Sequence, residues 1–251
     1  KYLDKKSHEI SLPKFSFDLD KIEKITIVAC GTSFYAGMIG KYLIESLARI
    51  NVEVDIASEF RYRNPPQSKN SLTIFISQSG ETADTIAALK YIKYLNQKSL
   101  AIVNAPKSTM SHLADDVILT TAGVEIGVAS TKAYTAQVAI LILLALSLGQ
   151  KRGFLKEEKV NELIVSLNLI PNLMQKILSK EYIEKIKKIA HQIKDTKNIL
   201  YIGRGISYAT SMEAALKLKE LSYINSSAIA AGELKHGTIA LIDKDSYIIA
   251  I

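Results

Sequence analysis

Strand, turn and helix alternate along most of this chain, and that order leaves few ways to fold it. Residues 25–29 (ITIVA) are an unbroken, β-branched apolar run that enters Cys30-Gly31-Thr32-Ser33, and a helical pattern follows to about residue 50. Runs at 52–56, 72–76, 99–103 and 116–119 read as further strands, with a polar, proline-bearing loop at 61–70. The third run enters Ser77-Gln78-Ser79-Gly80-Glu81-Thr82 and a helix to about residue 95. A loop over 123–132 then leads into a buried helix near 135–148. Continuous rather than alternating apolar runs belong to strands covered on both faces. The class predicted is therefore α/β, a parallel sheet with helices on each side.

The pattern restarts further on. A shift of 174 positions lays residues 27–62 over 201–236 without a gap, placing Gly31 on Gly205, Ser33 on Ser207, Met38 on Met212 and Glu59 on Glu233. Two copies of one α/β domain are expected. The division is 1–24 as a lead-in with helix and loop signals, 25–150 as the first domain, 151–197 as a Lys/Glu-rich helical connector broken at Pro171, and 198–251 as the second domain. The second copy is incomplete as given. The chain begins without Met and ends in an apolar run that resembles a strand, so a piece of a longer protein is expected.

Composition narrows the function classes. One cysteine in 251 residues excludes an internal disulfide and a cysteine-rich metal site, and fits a reducing, cytoplasmic setting. No signal peptide is expected, because the first residues are charged and mixed. The longest apolar run, 138–148, is too short to span a bilayer, so no membrane partner is expected. A net charge of +7 is compatible with an anionic ligand, but many lysines between 176 and 197 ring an amphipathic helical pattern and read as a solvated face, not a nucleic-acid surface. Four histidines without HxH or HExxH spacing predict no metal site.

In open parallel sheets, ligands lie beyond the carboxyl ends of the strands, where this chain places its hydroxyls. Residues 77–82 offer three hydroxyls, an amide and the free N–H groups of a helix start, a set suited to a phosphate monoester. The same residues also serve if Ser79 and Thr82 merely cap a helix. Neither a Walker loop nor a GxGxxG fingerprint is present. Thr32 and Ser33, and the stretch Val128-Ala129-Ser130-Thr131-Lys132, occupy corresponding strand ends. Cys30 lacks a base nearby in sequence and reads as structural. In the second copy, Lys217 and Glu220 sit three apart on one helix face, and His236 lies in a polar loop between Gly232 and Gly237. Cation, carboxylate and imidazole can move a proton between adjacent sugar carbons; the same groups can equally be a solvated pair and a loop residue.

Four stretches, ACGTS (29–33), SQSGETADT (77–85), GVASTKAYTAQ (127–137) and ALKLKELSY (215–223) with AAGELKHG (230–237), carry a family resemblance. The chain resembles the isomerase region of the glutamine–fructose-6-phosphate aminotransferases, or glucosamine-6-phosphate synthases, built of two sugar isomerase (SIS) domains. The resemblance implies flavodoxin-like α-β-α sandwiches. It implies that Ser33, Ser77, Gln78, Ser79 and Thr82 hold the sugar phosphate and that Thr32, Val128 and Ser130 line the sugar. It further implies Glu220 as the acid/base between C1 and C2 and Lys217 as the cation beside the developing oxyanion. His236 would open the ring, reaching the site from the neighbouring subunit of a homodimer. Fructose 6-phosphate and glucosamine 6-phosphate are the implied ligands, and no cofactor or metal is implied. The family's glutaminase domain and carboxy-terminal tail are absent from this sequence, so this chain alone is not expected to use glutamine. Two other readings stay open: a stand-alone SIS isomerase or deaminase, and a non-catalytic phosphosugar sensor.

Overall fold

The computed structural model describes residues 1–4 and 7–251; Lys5 and Lys6 of the lead-in lie outside the described residues. Two compact units are present, Lys1–Glu157 and Glu158–Ile251.

In the first unit, β1 (Lys24–Ala29), β2 (Asn51–Ile56), β3 (Ser71–Ser77), β4 (Lys98–Val103) and β5 (Asp116–Leu119) form one sheet in the order β2-β1-β3-β4-β5. Every pairing is parallel. The helices are α1 (Gly31–Ala48), α2 (Ala57–Arg63), α3 (Ala83–Tyr94), α4 (Thr109–Leu113) and α5 (Lys132–Lys151). A parallel connection needs a crossover, and right-handed crossovers put α1 on one face and α2, α3 and α4 on the other, because the chain turns back after β2. All seven residues of β3 are buried, as expected of a strand covered on both sides. On one face Val28, Phe60, Phe75, Leu89, Ile92, Val103 and Met110 form a continuous core. On the other, α1 packs along α5. Gly40 makes that close approach possible: a Cβ there would stand 3.0 Å from Leu141 Cδ2.

By length and composition α5 could cross a membrane, being 20 residues long and apolar. Ten of its residues, among them Ile140, Leu144 and Leu148, are buried in the unit, which makes it a core helix. The lead-in is tied to the outer strand. The Asp116 carboxylate accepts from the Ser16 amide and hydroxyl, and the Tyr2 hydroxyl accepts from the Leu119 amide.

Two local expectations are corrected. The polar stretch 61–70 is not all loop, since α2 extends to Arg63. Phe60 anchors that helix in the core, and it stops where Asn64 turns left-handed (φ 49°) ahead of Pro65. Nor does Pro171 break its helix: α6 (Glu157–Ile177) runs through it, and the break falls later, at Ser179 before α7 (Lys180–Ile193). A helical proline leaves one carbonyl four residues back without its amide. Here that residue is Leu167, which is only half-buried. The lysine-rich α7 buries no residue, and its apolar stripe (Tyr182, Ile183, Ile186, Ile189) is also at the surface.

The second sheet holds β6 (Asn198–Gly203), β7 (Asn225–Ala230) and β8 (Tyr247–Ala250), in the parallel order β7-β6-β8. Helix α8 (Ile206–Ser222) packs on β6 and β7. The 174-residue shift carries β1 onto β6 and β2 onto β7 residue for residue, and the strand register moves with it: Lys24 pairs with Asn51 as Asn198 pairs with Asn225. The match then slips by one. Ile25 pairs with Leu72, whereas Ile199 pairs with Tyr247, one residue further along the chain.

Candidate functional site

In the first unit the winding reverses between β1 and β3, so α1 and α3 leave on opposite faces and a crevice opens at the carboxyl ends of those strands. The hydroxyl loops stand on its two sides. Ser33 lies buried in the first turn of α1, with Thr32 beside it. Across the crevice Ser77 ends β3, and residues 78–82 turn into α3. The two sides meet where the Thr85 hydroxyl points at Cys30 Sγ, 4.0 Å away, consistent with a structural thiol.

The loop is held from inside. Ser77 Oγ accepts from the Gly80 amide (3.0 Å) and shares a hydrogen bond with Thr82 Oγ1 (2.9 Å). Thr82 is the N-cap residue of α3, but its side chain makes no cap bond, so that helix start keeps its donors uncapped by a side chain. Ser79 Oγ accepts from the Glu81 amide (3.1 Å). Gly80 is left-handed (φ 67°), and a Cβ there would lie 2.1 Å from Ser108 Oγ. Gln78 is fixed through its carbonyl, which accepts from the Asn104 and Ala105 amides (3.1 and 3.3 Å). The Asn104 side chain donates to Gly123 O (2.7 Å) and accepts from the Ala122 amide (2.8 Å) and the Thr120 hydroxyl (3.0 Å). It thereby ties the loop after β3 to the loop after β5. An open cleft of about 550 Å³ lies here, bordered by Gln78, Asn104, Thr121 and Glu125.

Glu81 accepts from the Thr109 amide at the start of α4, and that bond holds its carboxyl below the usual carboxylate range. Val128 and Ser130 sit on the loop after β5, Val128 fully exposed and Ser130 half-buried. Glu125 anchors this loop by accepting from the Ala133 amide (3.0 Å). In the second turn of α5, Gln137 Nε2 donates to Ser33 Oγ (3.0 Å), joining α5 to the hydroxyl loops. Sequence reading passed over Asn104 and Gln137. The signal for Gln137 was present, since it is an amide on the apolar face shared by Ala133, Ile140 and Leu144.

In the second unit, α8 presents Lys217 and Glu220 together: Lys217 Nζ lies 2.5 Å from Glu220 Oε2 and 3.6 Å from Glu213 Oε1. Glu213 is buried and Glu220 only partly so, and the ammonium sits between the two carboxylates. His236 is not in an open loop. Residues Ala231–Lys235 wind as a 3-10 helix that His236 terminates, its amide donating to Glu233 O (3.0 Å). The turn corresponds in position to α2 in the first unit, so the repeat imposes helical winding here despite Gly232. Among the described residues the exposed His236 imidazole makes no hydrogen bond, and no cluster of three or more His, Cys, Asp or Glu side chains is arranged to hold a metal ion.

A parallel sheet whose winding reverses between β1 and β3, with helices on both faces, defines a doubly wound α/β domain. The sequence matches the SIS domain over residues 18–147 and 192–251, and the chain belongs to the SIS domain family. It is 55% identical over 234 residues to a glutamine–fructose-6-phosphate aminotransferase (isomerizing) from Caldanaerobacter subterraneus subsp. tengcongensis, covering 93% of this chain and 38% of that protein. It is 50% identical over 252 residues to a protein of the same name from Bradyrhizobium diazoefficiens, covering 100% of this chain and 41% of that one. Among solved structures, the C-terminal domain of a glucosamine-fructose-6-phosphate aminotransferase from Francisella tularensis aligns with a TM-score of 0.89 at 42% identity, over 92% of this chain and 65% of that one. The chain thus aligns with the C-terminal domain of such a protein and spans about two fifths of the curated relatives' length.

Proposed function

We propose that this chain is the isomerase part of an enzyme that converts fructose 6-phosphate and glutamine-derived ammonia into glucosamine 6-phosphate. One observation carries the reading: a chain with a hydroxyl loop suited to phosphate also holds a carboxylate–ammonium pair, Glu220 and Lys217 at 2.5 Å. A sensor of phosphosugars needs only the first.

In this reading the hydroxyls of Ser33, Ser77, Ser79 and Thr82, with Gln78, grip the phosphate, while Thr32, Val128 and Ser130 flank the sugar. His236, whose imidazole is exposed, acts in the site of a neighbouring subunit of a homodimer and passes the proton that opens the ring. Ammonia, supplied by a glutaminase domain, replaces the C2 carbonyl oxygen as water leaves. Glu220 removes a proton from C1 and returns it to C2, and the O1 hydroxyl proton passes to the imine nitrogen, turning a ketose imine into a 2-amino aldose. Lys217 faces the negative charge that grows only during that transfer. The chemistry requires no metal or organic cofactor, and its soluble substrates suit a cytoplasmic enzyme.

The test is proton exchange in heavy water, using the full-length protein. Wild type should bind fructose 6-phosphate and incorporate deuterium at the C1/C2 positions, whereas Glu220→Gln should bind but not exchange. Retained exchange in Glu220→Gln would remove that residue as the base, and a wild type that ignores fructose 6-phosphate would overturn the whole assignment.

A further inference from the structure

We infer that Gln137 is a positioning residue that sets which way the Ser33 hydroxyl points; this rests on the reading of Ser33 as a phosphate contact. Gln137 is 1% exposed, and its Oε1 is buried with no hydrogen-bond partner among the described residues. Its neighbours along the α5 face, Ala133, Ile140, Leu141 and Leu144, are apolar and buried. As packing alone, an amide here is a poor choice, because a buried carbonyl without a donor is destabilising and Leu or Met would fill the same space. Among the described residues the side chain's one hydrogen bond runs from Nε2 to Ser33 Oγ at 3.0 Å.

A serine hydroxyl has one proton and two lone pairs. Left unrestrained, it can turn that proton onto a nearby main-chain carbonyl, which would leave nothing for a ligand. An amide N–H seated on one lone pair opposes that rotation and directs the hydroxyl proton toward the crevice, where an anionic oxygen can accept it. The geometry of the two helices fixes the pair. Ser33 and Gly40 lie two turns apart on α1, Gln137 and Leu141 one turn apart on α5, and the Gly40–Leu141 approach brings the amide within reach. Ser77 is set by a comparable device, the Gly80 amide on its oxygen.

The experiment is a double-mutant cycle read by calorimetric titration of fructose 6-phosphate into the full-length protein carrying Ser33→Ala, Gln137→Leu, both, or Gln137→Met. Thermal unfolding of each variant serves as the folding control, and Gln137→Met stands in should the leucine variant fail to fold. Gln137→Leu or Gln137→Met should weaken binding about 10-fold when Ser33 is present and less than about 2-fold when it is alanine, the scale of one directed hydrogen bond to a charged group. Equal losses in both backgrounds would show a general packing role and overturn the inference. So would full affinity in Gln137→Leu alongside a weakened Ser33→Ala. If Ser33→Ala itself binds like wild type, the phosphate reading of Ser33 falls, and the role of Gln137 with it.

Discussion

The Ser77 and Thr82 hydroxyls lie 2.9 Å apart, so the two ends of the turn between β3 and α3 are clasped to each other and not to the helix start they flank. A threonine at a helix N-cap ordinarily spends its oxygen on the amides behind it. Here it does not, and the amides of the helix start and one hydroxyl proton of the pair remain available to an anion.

The first prediction concerns that loop. Replacing Ser79 and Thr82 together by alanine should weaken fructose 6-phosphate binding by roughly 1–3 kcal/mol, the range for lost hydrogen bonds to a charged group. Calorimetry with the folded double variant measures it, and unchanged affinity would refute a phosphate role.

Gly80→Ala should both destabilise the first unit and abolish tight phosphosugar binding. Alanine must adopt φ 67° and press its Cβ to 2.1 Å from Ser108 Oγ. A strained backbone position of this kind costs about 1–3 kcal/mol before the clash is counted. Adding Ser108→Gly should relieve the clash and recover only part of the stability in urea denaturation. Complete recovery would mean that the backbone conformation contributes nothing.

Acid should act on the first unit through Asp115. Partial burial alone would raise its pKa; hydrogen bonds from Lys93 and from the Ser99 hydroxyl and amide outweigh that and hold it below the ordinary 3.8. A carboxyl with a lowered folded-state pKa stabilises above the unfolded value, and that contribution disappears as pH falls through the folded one. Asp115→Asn should therefore cost about 1–2 kcal/mol at neutral pH, with the gap to wild type closing as pH falls below the ordinary 3.8 and through the lower folded-state value. A pH-independent gap in chemical denaturation would contradict the assignment.

The fourth prediction tests sharing between subunits. Full-length His236→Ala and Glu220→Gln variants, each inactive, should recover activity when mixed under conditions that exchange subunits. Demonstrated exchange without recovery would place His236 in its own subunit's site or outside catalysis.

How far the sequence announced this molecule depended on where its information resides. β1 and β3 were plain because their apolar, β-branched runs are continuous, and the restart at β6 and β7 was plain because spacing survives where identity fades. Pro171 misled because a proline's effect depends on whether the orphaned carbonyl is near water, a tertiary fact. The 3-10 winding before His236 was hidden by Gly232 within its start and Gly237 after it, glycines that ordinarily favour open loops. Lys217 and Glu220 were visible as neighbours, since a helix fixes side chains three apart. Asn104 and Gln137 act across 26 and 104 positions, on Gln78 and Ser33, and only folding makes such partners adjacent.

The reversal of winding between β1 and β3 has a consequence for how such proteins diversify. The cradle's address is written into the order in which the strands are laid down, while the guest it admits is decided by a handful of side chains that bear little of the fold's weight. Swapping those side chains can therefore change what is recognised and leave the scaffold standing.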